Sequence, residues 1–158
     1  ASLVPPAETA QTARTAQTAP IAPSASPIAT AFRDLPATVP VNAAAPAGTC
    51  APGATSLCLL ASRFQVAVAF QTPGLAGTGQ AVPLSDDTGT FWFLAPSNIE
   101  LMVKVLDGRA VNGHFWVFSG GMSDFRYTVT VTDTLTGTVR TYTNPAGHIR
   151  STADTAAF

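Results

Sequence analysis

Charge is scarce in this chain. Acidic and basic side chains make up 11% of its 158 residues and sum to a net charge of −1, against roughly 25% charged residues in an average soluble protein. A nucleic-acid binder needs a basic stripe to neutralise phosphates. None is present, so nucleic acid is excluded as a partner. Long apolar runs are absent too. No stretch approaches the roughly 20 residues that a membrane-spanning helix needs. The opening "ASLVPPAE" has neither the charged nor the apolar region of a secretory leader, and it fits a mature N-terminus left by cleavage. No G-x-S-x-G elbow is present to expose a nucleophilic serine, and no histidine pair stands at ligand spacing for a transition metal.

Cysteine is nearly absent. Cys50 and Cys58, in "CAPGATSLC", are spaced too widely for a redox C-x-x-C and lack the partners of a zinc site. The Pro-Gly-Ala-Thr between them allows a turn that brings the sulfurs together. The pair reads as a disulfide, which implies an oxidising, extracellular compartment. The alternative is two buried thiols.

What is present divides into unequal parts. Residues 1–47 are dominated by Ala, Pro and Thr, with Glu8, Arg14, Arg33 and Asp34 as their charges. In "ETAQTARTAQTAP" the pair Thr-Ala recurs every third residue, a polyproline II period. The Ala content, Pro5, Pro6 and Glu8 also allow a helix over 7–18. Three readings stand for this arm: a secreted linker carrying O-linked sugars, a strap along its own domain, or a strand added to a neighbouring subunit. Ile21, Ile28, Phe32, Leu35, Val39 and Val41 are the side chains that a contact would use.

Residues 48–158 read as strand after strand. In "RFQVAVAF" Phe64, Val66, Val68 and Phe70 face one way and Gln65, Ala67 and Ala69 the other. "GQAVPLS" follows a Gly-rich connection, and its Pro83 marks an edge or a bulge. "GTFWFLA", "IELMVKVLD", "GHFWVFSG", "FRYTVTVTD" and "GTVRTYTN" complete about seven strands, and the tail through Phe158 reads as adding a last one. Short strands at this spacing predict an all-β fold: an immunoglobulin-like antiparallel β-sandwich behind an extended arm.

The densest polar cluster is "VKVLDGRAVNGHFWVFSGG", Val103–Gly121. Asp-Gly and Asn-Gly supply positive φ and predict tight type I′ turning, with Asp107 and Asn112 bonding the turn backbone. Lys104 snorkels from its strand. His114 has no activated Ser119 or Ser123 to serve, and His148 stands near the chain end. No catalytic residue and no cofactor are expected. Asp86 and Asp87 in "SDDTG" are a weak Ca²⁺ candidate that a hairpin turn explains without metal. "TDTLTG" predicts a turn closing on a left-handed Gly137.

The aromatics offer a binding surface. Alternation sends Phe91 and Phe93 one way and Trp92 the other, and likewise Phe115 against Trp116 and Phe118. One set fills the core. The other, Trp92, Trp116 and Phe118, lines the outer sheet face, where it suits glycan, peptide or another subunit.

"LCLLASRFQVAVAF", "GQAVPLSDDTGTFWFLAPSNIELMVKVLDGRAVNGHFWVFSGG" and "YTVTVTDTLTGTVRTYTNPAGHIRSTADTAAF" together resemble a recurrent β-sandwich domain of secreted bacterial proteins. The resemblance runs from about Cys50 to Phe158, is most specific over Asp87–Val117, and leaves the arm uncovered. It implies an extracellular module beside other domains and carries no active site. The chain is therefore expected to be a secreted, non-enzymatic structural or adhesive module that assembles with itself or with envelope partners, with a segment between Ile21 and Val41 completing a neighbour's sheet in a filament. The alternatives are a glycan- or peptide-binding module acting through Trp92 and Trp116, and a small protease inhibitor presenting loop 71–79.

Overall fold

The computed structural model describes residues 48–158. The expectations placed on 1–47, including the 7–18 helix and the contacts of Ile21, Ile28, Phe32, Leu35 and Val39, lie outside the described residues.

Ten strands and one helical turn follow in order: β1 (Ser56–Leu59), β2 (Phe64–Gln71), β3 (Ala76–Thr78), β4 (Gln80–Pro83), β5 (Thr88–Trp92), β6 (Leu101–Asp107), α1 (Arg109–Asn112), β7 (Phe115–Gly121), β8 (Arg126–Asp133), β9 (Val139–Asn144) and β10 (Ser151–Asp154). They form two antiparallel five-stranded sheets. One runs β1-β2-β8-β9, with β3 also paired to β2. The other runs β10-β7-β6-β5-β4. The seven expected strands are β2 and β4–β9. The last strand read from the tail is β10. Two more were hidden by their length: β1, which carries Cys58, and β3, within the Gly-rich "TPGLAGTG". Pro83 sits on β4, an edge strand, where its missing N–H costs no ladder bond.

The alternation read from β2 is the core. Phe64, Val66, Val68 and Phe70 are buried, as are Val103 and Val105 on β6, Val117 on β7, and Tyr127, Val129 and Val131 on β8. Burial of each such side chain contributes about 1.5–3 kcal/mol. Aromatic rings tie the sheets at both ends. Phe64 meets Phe115 with centroids 4.9 Å apart and Phe158 at 5.1 Å. At the other end Phe70 stacks on Phe93 at 4.7 Å, and Phe93 meets Tyr127 at 5.8 Å. Valines fill the middle.

The pairing gathers the β1–β2, β4–β5, β6–β7 and β8–β9 connections at one end of the sandwich, here the near end. Gly48 joins the fold there, its N–H donating to the Thr134 carbonyl at 2.9 Å, while Cys50 donates to Ser62 at 3.1 Å. Cys50 and Cys58 are disulfide-bonded, with Cα atoms 5.7 Å apart. The β1–β2 turn holds Leu60, Ala61 and Ser62 at φ of 49°, 52° and 64°, a left-handed run that costs on the order of 1–2 kcal/mol per non-glycine residue. The disulfide closes a short loop, a separation of 8 residues, beside that turn. Replacing both cysteines with serine should lower the unfolding free energy in urea by about 2–3 kcal/mol; an unchanged midpoint would show that the covalent link does not hold the turn.

Candidate functional site

The near end concentrates the polar chemistry. The β6–β7 connection turns through α1 rather than through the expected type I′ hairpins. Gly108 has φ −92°, and its missing side chain serves a different need: a Cβ there would overlap the Trp116 indole. Gly113, at φ 82°, supplies the left-handed residue after α1, and its N–H donates to the Arg109 carbonyl. Asp107 accepts the Arg109 N–H at 3.1 Å and grips its guanidinium at 2.9 and 2.7 Å. Asn112 Oδ1 accepts from Trp116 Nε1 at 2.8 Å and from the His114 N–H at 3.3 Å, while its Nδ2 donates to the Thr155 carbonyl at 2.7 Å. His114 Nδ1 lies 3.3 Å from the Phe158 carbonyl oxygen. Asp107, Arg109, Asn112 and His114 thus each have a structural partner, and no hydroxyl or thiol hydrogen-bonds the His114 ring among the described residues.

Beside this connection lies a cleft of about 390 Å³ lined by Arg63, Arg109, Arg140, Asp133, Thr138 and Phe158, among others. Arg63 leaves the left-handed turn and forks onto Asp133, with Nε 3.1 Å and Nη2 2.8 Å from its carboxylate oxygens. Its guanidinium carbon sits 4.1 Å from the Phe115 ring centre, with that of Arg109 at 4.5 Å from the same ring. Arg140 donates from Nε to the Ala157 carbonyl at 2.6 Å and lies 5.8 Å from the Phe158 ring centre. Burial works against ionisation of Asp133, but the Arg63 fork and the Leu135 N–H outweigh it and lower its pKa. The side-chain bond from Arg109 holds Asp107 down at about 2.

Sequence reasoning overlooked Arg63, Asp133 and Arg140 as a group. Arg63 lies 70 residues from Asp133, each of the three stands at or beside a strand end, and only the hairpin order brings them to one rim.

The two calcium candidates have other partners. Asp86 clamps the left-handed turn: its carbonyl accepts from the Leu60 N–H at 2.6 Å and its Oδ1 from the Ala61 N–H at 2.9 Å. Asp87 accepts from Ser85 Oγ at 2.6 Å and Thr88 Oγ1 at 2.7 Å, and pairs with Lys104 at 3.2 Å. These bonds, the Ser85 hydroxyl first, lower its pKa to about 2. Among the described residues, no group of three or more His, Cys, Asp or Glu side chains is placed to hold a metal ion.

The outward aromatics do not form one row. Trp116 pairs across β6 with Leu106 and lies edge-on to Phe118 at 6.4 Å. Trp92 pairs with Gln80 on β4. Since its neighbour Phe91 is opposite Leu101, Trp92 stands at the far end of the same sheet face. Loop 71–79 is not a free extended loop. Thr72 Oγ1 accepts from the Leu75 N–H at 3.0 Å, and β3 folds back onto β2.

A second cleft, about 340 Å³, opens between the edge strands β9 and β10, with Tyr127, Thr141, Asn144, Arg150 and Ser151 in its lining. Asn144 donates from Nδ2 to the carbonyls of Phe125, Pro145 and His148, which leaves its buried Oδ1 without a partner among the described residues. Tyr142 bridges the two sheets there, donating to Asp154 Oδ2 at 2.8 Å. Burial, then Asp154, push the Tyr142 phenol well above its ordinary pKa.

No protein-family model matches the chain, and comparisons with curated proteins and with solved structures find no match either.

The carboxylate shifts set an acid limit. Asp87, Asp107 and Asp133 all titrate lower in the folded chain than in the unfolded one. The stability they confer is complete above the unfolded carboxylate pKa of about 4 and is lost as pH falls towards 2. The thermal midpoint should be level from neutral pH to about 5 and fall below about 4, with a shallower fall in Asp133→Asn. A midpoint unchanged down to pH ~2 would show that these ion pairs do not form.

Proposed function

We propose that this protein is a secreted, non-catalytic structural or adhesive module, an immunoglobulin-like sandwich that assembles with copies of itself by strand addition. The observation that carries the reading is the open edge at β9. Among the described residues β9 pairs with β8 alone, and at six residues it is longer than the other edge strands β1, β3, β4 and β10. Arg140 is its one charged residue and it holds no proline. The usual defences of an exposed edge, lysine, proline or a bulge, are thus sparse along it.

The orientation of its backbone groups follows from the turn. Asp133 N–H donates to the Thr138 carbonyl, so the pairs that bond across β8–β9 alternate from there. With Val131 opposite Arg140 and Val129 opposite Tyr142, Arg140 and Tyr142 bond to β8. Val139, Thr141 and Thr143 turn their N–H and C=O groups to the open side. An added strand would take those groups, and its side chains would reach the cleft behind β9.

The arm is the occupant we infer. Traced back from Cys50 at Ser62 to Gly48 at Thr134, the chain steps across the near end from the β1–β2 turn to the β8–β9 turn, towards the β9 side. A segment around Ile28–Leu35 is separated from Gly48 by residues 36–47. That length spans up to about 40 Å when extended, more than the ~26 Å of an eight-residue strand. That is long enough to reach a neighbouring molecule. The disulfide is compatible with an oxidising setting, and the resemblance to a recurrent domain of secreted bacterial proteins points to the same place.

Light scattering on the full chain over a concentration series tests this. The expected result is growth into linear oligomers, abolished by Thr141→Pro, which removes an outward N–H and leaves the β8 ladder whole, and by Phe32→Asp in the arm. A full chain that stays monomeric, or that assembles equally well with both substitutions, would overturn the proposal.

A further inference from the structure

The arginine-lined cleft at the near end uses the Arg140 side chain of β9 and leaves aside the outward backbone groups on which strand addition rests. We propose that it is a binding site for the carboxylate of an acidic saccharide, such as a uronic acid residue in a glycan.

The first support is where the charge lies. Residues 48–158 hold six basic side chains: Arg63, Lys104, Arg109, Arg126, Arg140 and Arg150. Three of them, Arg63, Arg109 and Arg140, line this one cleft. Asp133 offsets Arg63 and Asp107 offsets Arg109. Arg140 has no carboxylate partner among the described residues. Its Nε is committed to the Ala157 carbonyl, and its two terminal nitrogens carry no hydrogen bond among the described residues, which leaves them as donors for a ligand. The lining thus brings three guanidinium groups against one carboxylate, Asp133.

The second support is rigidity. Arg63 and Arg109 are held by two-point forks on carboxylates and by the Phe115 ring. Arg63 follows directly on three left-handed residues that the disulfide and Asp86 brace. Guanidinium groups held in place lose little freedom when an oxyanion arrives, and their planar donor pairs match a carboxylate at two points. The lining also suits the rest of a sugar. Thr136 and Thr138 bring hydroxyl groups, linked to each other at 2.9 Å, and Phe158 offers a partly exposed ring of the kind that packs against a sugar's C–H face.

The test is calorimetric titration of the full chain with oligogalacturonate, with a neutral galactose oligomer and with inorganic phosphate, alongside amide chemical-shift mapping. The expected result is saturable binding of oligogalacturonate, weakened by salt, with shifts centred on Thr136, Thr138 and the Arg140 side chain. The neutral oligomer should not bind. Arg140→Gln should weaken binding by about tenfold or more, as loss of a charge-assisted two-point contact does, and Arg150→Gln, outside the cleft, should leave it unchanged. Should Arg140→Gln fail to fold, Thr138→Glu places a negative charge at the mouth and should have the same effect. The proposal is overturned if oligogalacturonate does not saturate, if binding is indifferent to these variants, or if phosphate binds as tightly, since the site would then read phosphoryl groups rather than sugar acids.

Discussion

Phe64 reaches across the gap between the sheets to Phe115, and the near end of the molecule is arranged around that contact. Two β-sheets stack stably only when their inner faces interdigitate. Here the aromatic pair sets the spacing where the connections gather. Phe158 also packs on Phe64 and draws the tail against the end of the sandwich. The Phe115 ring in turn receives Arg63 and Arg109, so the same contact that closes the core presents cations at the rim. Without it the left-handed turn, the Asp133 fork and the arginine cleft would have no common anchor.

The two-layer core was legible because the period of two is strong where it matters. Phe64–Phe70 on β2 and Tyr127–Val131 on β8 alternate cleanly, and the inward set is buried as alternation demands. What escaped the sequence was of a different kind. β1 and β3 are four and three residues long, too short for a period to show. Gly108 looked like a residue needing positive φ, yet it is there because an indole occupies the place of its side chain, a tertiary fact invisible to a dipeptide rule. The left-handed run at Leu60–Ser62 contains no glycine or asparagine, so nothing local announced it. Asp86 and Asp87 illustrate the same limit. Two adjacent carboxylates suggest a cation, but one braces that turn and the other pairs with Lys104.

Two surfaces of different character emerge from one architecture. Among the described residues, closing the sandwich on the β1–β4 side leaves β9 and β10 as neighbouring open edges, bridged by side chains such as Tyr142 to Asp154. Gathering four connections at the near end places strand-end arginines from distant parts of the chain around one cleft. The first favours backbone pairing with another strand, the second recognition of a small charged group. A module that polymerises through an edge and holds acidic glycans at an end would combine assembly with adhesion.

The most direct test of the underlying account is a nuclear Overhauser spectrum of the full chain with its phenylalanine rings selectively labelled. Cross-peaks between Phe64 and Phe115, and between Phe70 and Phe93, are the predicted result, one pair at each end of the two-sheet core. A well-dispersed spectrum in which both pairs are missing would contradict the packing on which the edge, the rim and the cleft all depend.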